Sequence, residues 1–221
     1  MELEGQILPT KIPLVSLTHW PNIDLFCLIS QSEKTVIEAY ENFQKQSYRN
    51  RLAILMSNGQ FNLTIPVKNG RKKLAYNQIE IDYSQNWIRN YLGTLQTAYG
   101  KSPYFEYFNQ QIIDLIQSKP QLLFELNQKI LTFCLENLKI NQSKILYSET
   151  YIDTTNQDFT DLRETFSTKH NESRLTIFQQ KPYSQTFGND FVANLSIIDL
   201  LCNLGPQAKN YLSDQKPTNI I

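Results

Sequence analysis

The sequence predicts an α+β fold, with a largely antiparallel sheet in its N-terminal part and a C-terminal helical layer packed on it. Residues 7–82 alternate short β-branched and aromatic runs with turn signals. Asn58-Gly59 supplies a tight turn between two of those runs. From Ser84 onward, apolar residues recur at spacings of three and four. The 221 residues are read as one domain, 8–82 mostly strands and 84–221 mostly helices.

Taken in order, "LVSL", "KTVIEAY", "LAILM" and "FNLTIPV" read as strands, the last two paired antiparallel through "SNGQ". "NIDLFCLIS" reads as a short helix opening after Pro21. "NQIEIDY" alternates as a further strand, with Ile79 and Ile81 on one face. "SQNWIRNYLGTLQTAYG" is a helix with Ser84 as N-cap and Gly100 as its stop. "YFEYFNQQIIDLIQS" and "PQLLFELNQKILTFCLENLKI" are the next two helices. In the second, Leu122, Leu126, Ile130, Cys134 and Leu138 form a ladder on one face. "SKILYSETYI" returns to strand, residues 153–160 read as loop and "DLRETF" as a short helix. "NLSIIDLLCNLGP" is a helix closed by Gly205-Pro206, with Ser196 and Asp199 at capping-box spacing.

An apolar fraction of 41% permits a real core and argues against disorder. Lys plus Arg (21) equals Asp plus Glu (21), so no whole-molecule field draws nucleic acid. No apolar run is long enough to span a bilayer, and "MELEGQ" lacks the features of a secretory signal. Cys27, Cys134 and Cys202 are few and far apart, which suits core positions in a reducing compartment; the expected location is cytoplasmic. No dinucleotide fingerprint, phosphate loop, nucleophile elbow or zinc pattern occurs, so the sequence names no cofactor.

Between Glu41 and Lys73 stand seven cations (Lys45, Arg49, Arg51, Lys68, Arg71, Lys72, Lys73) and one carboxylate, Glu41. Arginine forks bind carboxylates and phosphates bidentately, and lysine adds a mobile point charge. "ENFQKQSYRNR" therefore suggests an anion site using Lys45, Gln46, Tyr48, Arg49 and Arg51, with Lys68 nearby. A solvated face with ordinary ion pairs would account for the same charges. His19, in "THW", is the candidate general base; His170 lies in a polar loop. "DLRE" offers Asp161 and Arg163, and "YSQTFGND" offers Tyr183 and Gln185 as orienting groups. Each has a structural explanation as well: a helix start for Asp161, and satisfied loop backbone for Tyr183 and Gln185.

Taken together, "ENFQKQSYRNR", "LTIPVKNG", "IEIDYSQNWIRNYLGTLQTAYGKSPYFEYF", "DLRE" and "YSQTFGNDFVANLSIIDLLCNLGP" resemble the WbqC-like family, in the form common among Bacteroidetes. The resemblance runs from about Leu8 to Tyr211. His19-Trp20-Pro21 stands where other members carry a Tyr-aromatic-Pro, and Ala193 and Cys202 replace a usual proline and phenylalanine. The family takes its name from surface-polysaccharide (O-antigen) gene clusters. The resemblance thus implies a pocket built from these motifs, and it names no reaction.

Two functions follow as expectations. One is a transferase of acyl or aminoacyl type, acting on a small sugar-linked or anionic metabolite in polysaccharide precursor synthesis. The other is a non-catalytic small-ligand-binding or pathway-assembly protein, which needs the cationic site and no base. Neither reading involves nucleic acid.

Overall fold

A computed structural model describes residues 11–68, 73–153, 155, 158–166 and 177–218. Arg71, Lys72 and His170 lie outside the described residues.

Four strands form the main sheet: β1 (Ile12–Ser16), β2 (Thr35–Glu38), β5 (Ile145–Tyr147) and β6 (Phe159–Asp161). Their order is β5-β2-β1-β6, and every neighbouring pair is parallel. This corrects the expected antiparallel sheet. β1 reaches β2 through helix α1 (Ile23–Gln31), a crossover that returns the chain in the same direction. The other two strands arrive after the central helices, so the sheet joins both halves of the chain. β1 and β2 are almost wholly buried, as parallel strands covered on both faces must be.

The hairpin at Asn58-Gly59 does form. β3 (Arg51–Met56) pairs antiparallel with β4 (Gly59–Thr64), and Gly59 has φ +105°. It stands apart from the parallel sheet. The expected strand at "NQIEIDY" is a single 3-10 turn, Tyr76–Gln78, followed by isolated bridges from Ile81 to Val67 and from Glu80 to Leu122. "DLRETF" is no helix: Asp161 ends β6 and residues 163–166 form a turn.

Helices α2 (Trp87–Tyr99), α3 (Phe105–Gln117) and α4 (Leu123–Asn137) bury the faces that their periodicity marks. Leu126, Ile130, Cys134 and Leu138 of the expected ladder are all buried. Asn86, not Ser84, precedes α2; the Ser84 backbone N–H instead donates to Asp82 Oδ1 at 2.9 Å.

Helix α5 (Ile197–Leu204) begins beside α1. Asn22 and Ser196 form an antiparallel bridge, with Ile23 N donating to Leu195 O and Ile197 N to Pro21 O. Ser196 makes no capping box. Its hydroxyl accepts from Ala53 N at 3.0 Å and its N–H donates to Ala53 O, so it closes the edge of β3. Helix α6 (Ala208–Ser213) and the short pair β7 (Phe178–Gln179) and β8 (Lys216–Pro217) complete the described chain.

Gly205, at φ +51°, ends α5 where a Cβ would stand 2.5 Å from the Tyr104 ring. Tyr104 is tied to α5 through its N–H on Cys202 O at 3.0 Å. Gly205→Ala is therefore expected to destabilise the fold by more than about 2 kcal/mol, through strain and overpacking together. A urea midpoint equal to that of the wild type would refute this.

Candidate functional site

The strand order places a topological switch between β1 and β6. From β1 the chain moves one way to β2 and then β5; for β6 it crosses back to the opposite side of β1. In open parallel sheets, the crevice at the carboxyl ends beside such a switch is where ligands bind. Here the carboxyl ends of β1, β2 and β6 are Ser16, Glu38 and Asp161.

These residues gather two charge clusters. In the first, Arg49 Nε donates to Glu41 Oε1 at 2.8 Å and its Nη2 to Oε2, a bidentate fork. Ser16 Oγ donates to Glu41 Oε2 and accepts from Arg49 Nη2, both at 2.9 Å. In the second, Arg163 forks onto Asp161 at 2.9 and 2.6 Å, donates Nη1 to Ile152 O at 3.0 Å, and lies 3.5 Å from the fully buried Glu38. Glu38 also accepts from Tyr40 N, Ser148 Oγ and Ile152 N. Ser16 links the clusters, its Oγ 3.5 Å from Arg163 O. Hydrogen bonding to Arg163 holds the Asp161 carboxyl below its usual range, and the same bond raises Arg163.

The structure thus brings Arg49 together with Asp161 and Arg163, residues more than a hundred positions apart. Both guanidinium groups are occupied by carboxylates of the chain itself. Lys45 and Gln46 are exposed on the loop between Glu41 and Arg49. Gln44 and Glu164 join that loop to the Arg163 turn at 2.7 Å. Two exposed rings flank the second cluster: Tyr40, whose N–H is on Glu38, and Tyr151, over the Arg163 guanidinium at 5.2 Å.

His19 is 1% exposed, and both ring nitrogens are engaged at 2.7 Å, Nδ1 by Asn127 Oδ1 and Nε2 by Tyr91 OH. The Asn127 amide nitrogen donates to the Arg49 carbonyl, which can only accept. Asn127 Oδ1 must therefore accept from Nδ1–H, and Nε2 accepts the Tyr91 proton. Burial pushes the His19 pKa down to about 4, so the ring is neutral.

The sequence model of the WbqC-like protein family matches residues 18–162 and 149–211. The chain belongs to that family. No curated protein and no solved structure matches it. The matched residues of this WbqC-like protein include both charge clusters except Ser16.

The remaining predicted site residues of the WbqC-like protein are dispersed. Tyr48 is buried in a small apolar cluster with Ala53, Leu55 and Leu195, and its carbonyl accepts from His19 N. Arg51 starts β3 opposite Thr64, with its buried Nε unbonded. Lys68 pairs with exposed Glu80 at 3.0 Å. Tyr183 OH and Gln185 Nε2 converge on buried Asp199 of α5, at 2.6 and 3.3 Å. Desolvation raises that carboxyl above its usual range. No bond links Tyr183 or Gln185 to the switch point among the described residues.

Sequence reasoning missed Ser16, Glu38 and the rings of Tyr40 and Tyr151, and treated Glu41 only as a lone negative charge. The available signal was small: one carboxylate among seven cations is the one those cations would compete for. Cys27, Cys134 and Cys202 are buried, with thiols raised by desolvation, as core residues.

Proposed function

We propose that this WbqC-like protein is a transferase acting on a small sugar-linked, anionic metabolite in surface-polysaccharide precursor synthesis, held at the carboxyl ends of the parallel strands. The carrying observation is the convergence of Ser16, Glu38, Glu41, Arg49, Asp161 and Arg163 at the topological switch. The buried charges form a fixed floor. Lys45, exposed on the loop between Glu41 and Arg49, supplies the contact to the anionic portion, with Gln46 beside it, and Tyr40 and Tyr151 offer flat apolar faces with polar tips to the sugar.

The arrangement argues against one alternative at the same place. A phosphate at the start of α1 would meet Asp24 in the first turn, where Asn22 and Asn194 already engage backbone N–H groups. The anion is therefore assigned to the Lys45 loop and not to the helix terminus. A second reading, non-catalytic ligand binding, is favoured by His19, because both ring nitrogens are filled and no proton can be taken without breaking the network.

Calorimetric titration with UDP- and dTDP-linked sugars tests the site. Lys45→Ala and Tyr151→Ala are expected to weaken binding at least about tenfold, roughly 1.4 kcal/mol, without lowering the melting temperature. Absence of binding, or unchanged binding in both variants, defeats the proposal. Mass analysis of donor and acceptor after incubation separates transfer from simple retention.

A further inference from the structure

The β3–β4 hairpin treats its two outer edges differently. On the β3 side, the Ala53 N–H and C=O face away from β4, and Ser196 takes both, through its Oγ at 3.0 Å and its N–H at 2.9 Å. On the β4 side nothing comparable is found. Continuing the hairpin register, Asn50 lies opposite Ile65, and Ile65 N donates to Asn50 O at 2.8 Å. Bonded and unbonded pairs alternate along an antiparallel ladder. Gly59, Phe61 and Leu63 therefore turn their backbone groups toward β3, and Gln60, Asn62 and Thr64 turn theirs outward. These three residues are exposed, and among the described residues nothing pairs with their N–H or C=O groups.

Proteins ordinarily blunt such an edge with a charge, a proline, a bulge or a covering element. The β4 strand, "GQFNLT", has no charge and no proline, and its register is unbroken from Gly59 to Thr64. It is exposed along its length apart from half-buried Leu63, and the Phe61 ring is 44% exposed. The strand is also complementary to itself. Set antiparallel with Asn62 opposite Asn62 of a second copy, Gln60 meets Thr64 and Thr64 meets Gln60. Every outward N–H of one copy then finds a C=O of the other. On one face the pairs are amide with amide and amide with hydroxyl, groups that both donate and accept. On the other face Phe61 pairs with Leu63, which covers the exposed ring. No like charges stand opposite one another.

We infer that β4 is a self-association edge: two copies of the chain join β4 to β4 antiparallel, about a two-fold axis at Asn62, and so form one four-stranded sheet. Ser196 occupies the far edge of each β3, so the assembly stops at two copies. The segment Gln60–Thr64 is far smaller than the roughly 20–30 residues a side of a standard interface. The association is therefore weak and concentration-dependent. The edge is separate from the switch point, and its test does not depend on that reading.

Sedimentation equilibrium on the full chain, from micromolar to millimolar concentration, is expected to show monomer and dimer in exchange. The Asn62 side chain is exposed and unbonded, so substitutions there spare the fold. Asn62→Lys and Asn62→Asp each set like charges across the axis and should weaken self-association at least about tenfold. Their equimolar mixture should restore a one-to-one dimer. Directly opposed, hydrogen-bonded residues have Cα atoms about 5.5 Å apart, within reach of a disulfide, and Cys27, Cys134 and Cys202 are buried. Asn62→Cys should therefore cross-link two copies on mild oxidation, while Ser57→Cys, exposed in the turn, does not. A chain that stays monomeric at millimolar concentration overturns the inference, the result expected if a strand of another protein takes the edge. It is equally overturned if Asn62→Lys dimerises as tightly as the wild type, or if Ser57→Cys cross-links as readily as Asn62→Cys.

Discussion

Arg49→Ala is expected to destabilise the fold by roughly 3–5 kcal/mol, the usual result of removing one member of a buried ion pair. Arg49 is 3% exposed and Glu41 6%, so truncation leaves the Glu41 carboxylate desolvated with only Ser16 as a donor. For a chain of this length, that corresponds to a fall in Tm of roughly 10 °C. The side chain also fastens three parts of the fold: the end of β1 through Ser16, the Ser47 turn, and the loop that carries Glu41. Reversing the roles gives the control. Glu41→Gln in the Arg49→Ala background removes the stranded charge and should recover part of the loss. If Arg49→Ala melts with the wild type and abolishes ligand binding, then Arg49 is a ligand contact and the fork to Glu41 contributes nothing to stability.

That prediction reverses what the residues suggest when read alone. A segment with three cations and one carboxylate looks like a surplus waiting for an external anion. The structure matches Arg49 with the nearby Glu41. It then recruits Glu38, 125 residues distant, beside Arg163. Local patterns were legible: Asn58-Gly59 marks its hairpin, Pro21 precedes α1, and the three- and four-residue spacings mark α2, α3 and α4. The sheet was not, because an apolar run such as "TVIE" reads the same whether its neighbours run parallel or antiparallel. Strand order depends on long-range pairing of β1 with β6, which no local signal carries. The carboxyl-end clustering of Ser16, Glu38 and Asp161 becomes visible only once that order is known. The late polar segment was expected either to orient a ligand or to satisfy loop backbone, and Gln185 does exchange hydrogen bonds with the Val192 backbone at 2.9 Å. Yet Tyr183 and Gln185 serve Asp199, whose place under the loop followed from the start of α5 and not from any motif.

The second large effect is a pair of opposing pH dependences. His19 is held neutral, with its pKa at about 4 against a usual 6.5. A lowered folded-state value means that its stabilising contribution is complete above pH 6.5 and lost as the pH falls through about 4. The span corresponds to about 3 kcal/mol. Asp24 behaves in the opposite sense. It is 1% exposed, accepts from Ile177 N at 2.7 Å and Gln180 Nε2 at 2.6 Å, and burial raises it from 3.8 to about 6. Its contribution is complete below its unfolded value and lost as the pH rises through about 6, again about 3 kcal/mol. Over the shared acidic window the two terms nearly cancel in the wild type. Asp24→Asn removes one of them. Its urea-unfolding free energy is expected to fall by about 3 kcal/mol, relative to the wild type, between neutral pH and about pH 4. Carbon-13 shifts of the His19 ring should report the Nδ1–H tautomer down to the same pH. A variant whose pH profile runs parallel to the wild type would show that Asp24 is ionised at no cost in its buried site. A ring that protonates near 6.5 would show that the Asn127–His19–Tyr91 chain does not hold the imidazole neutral.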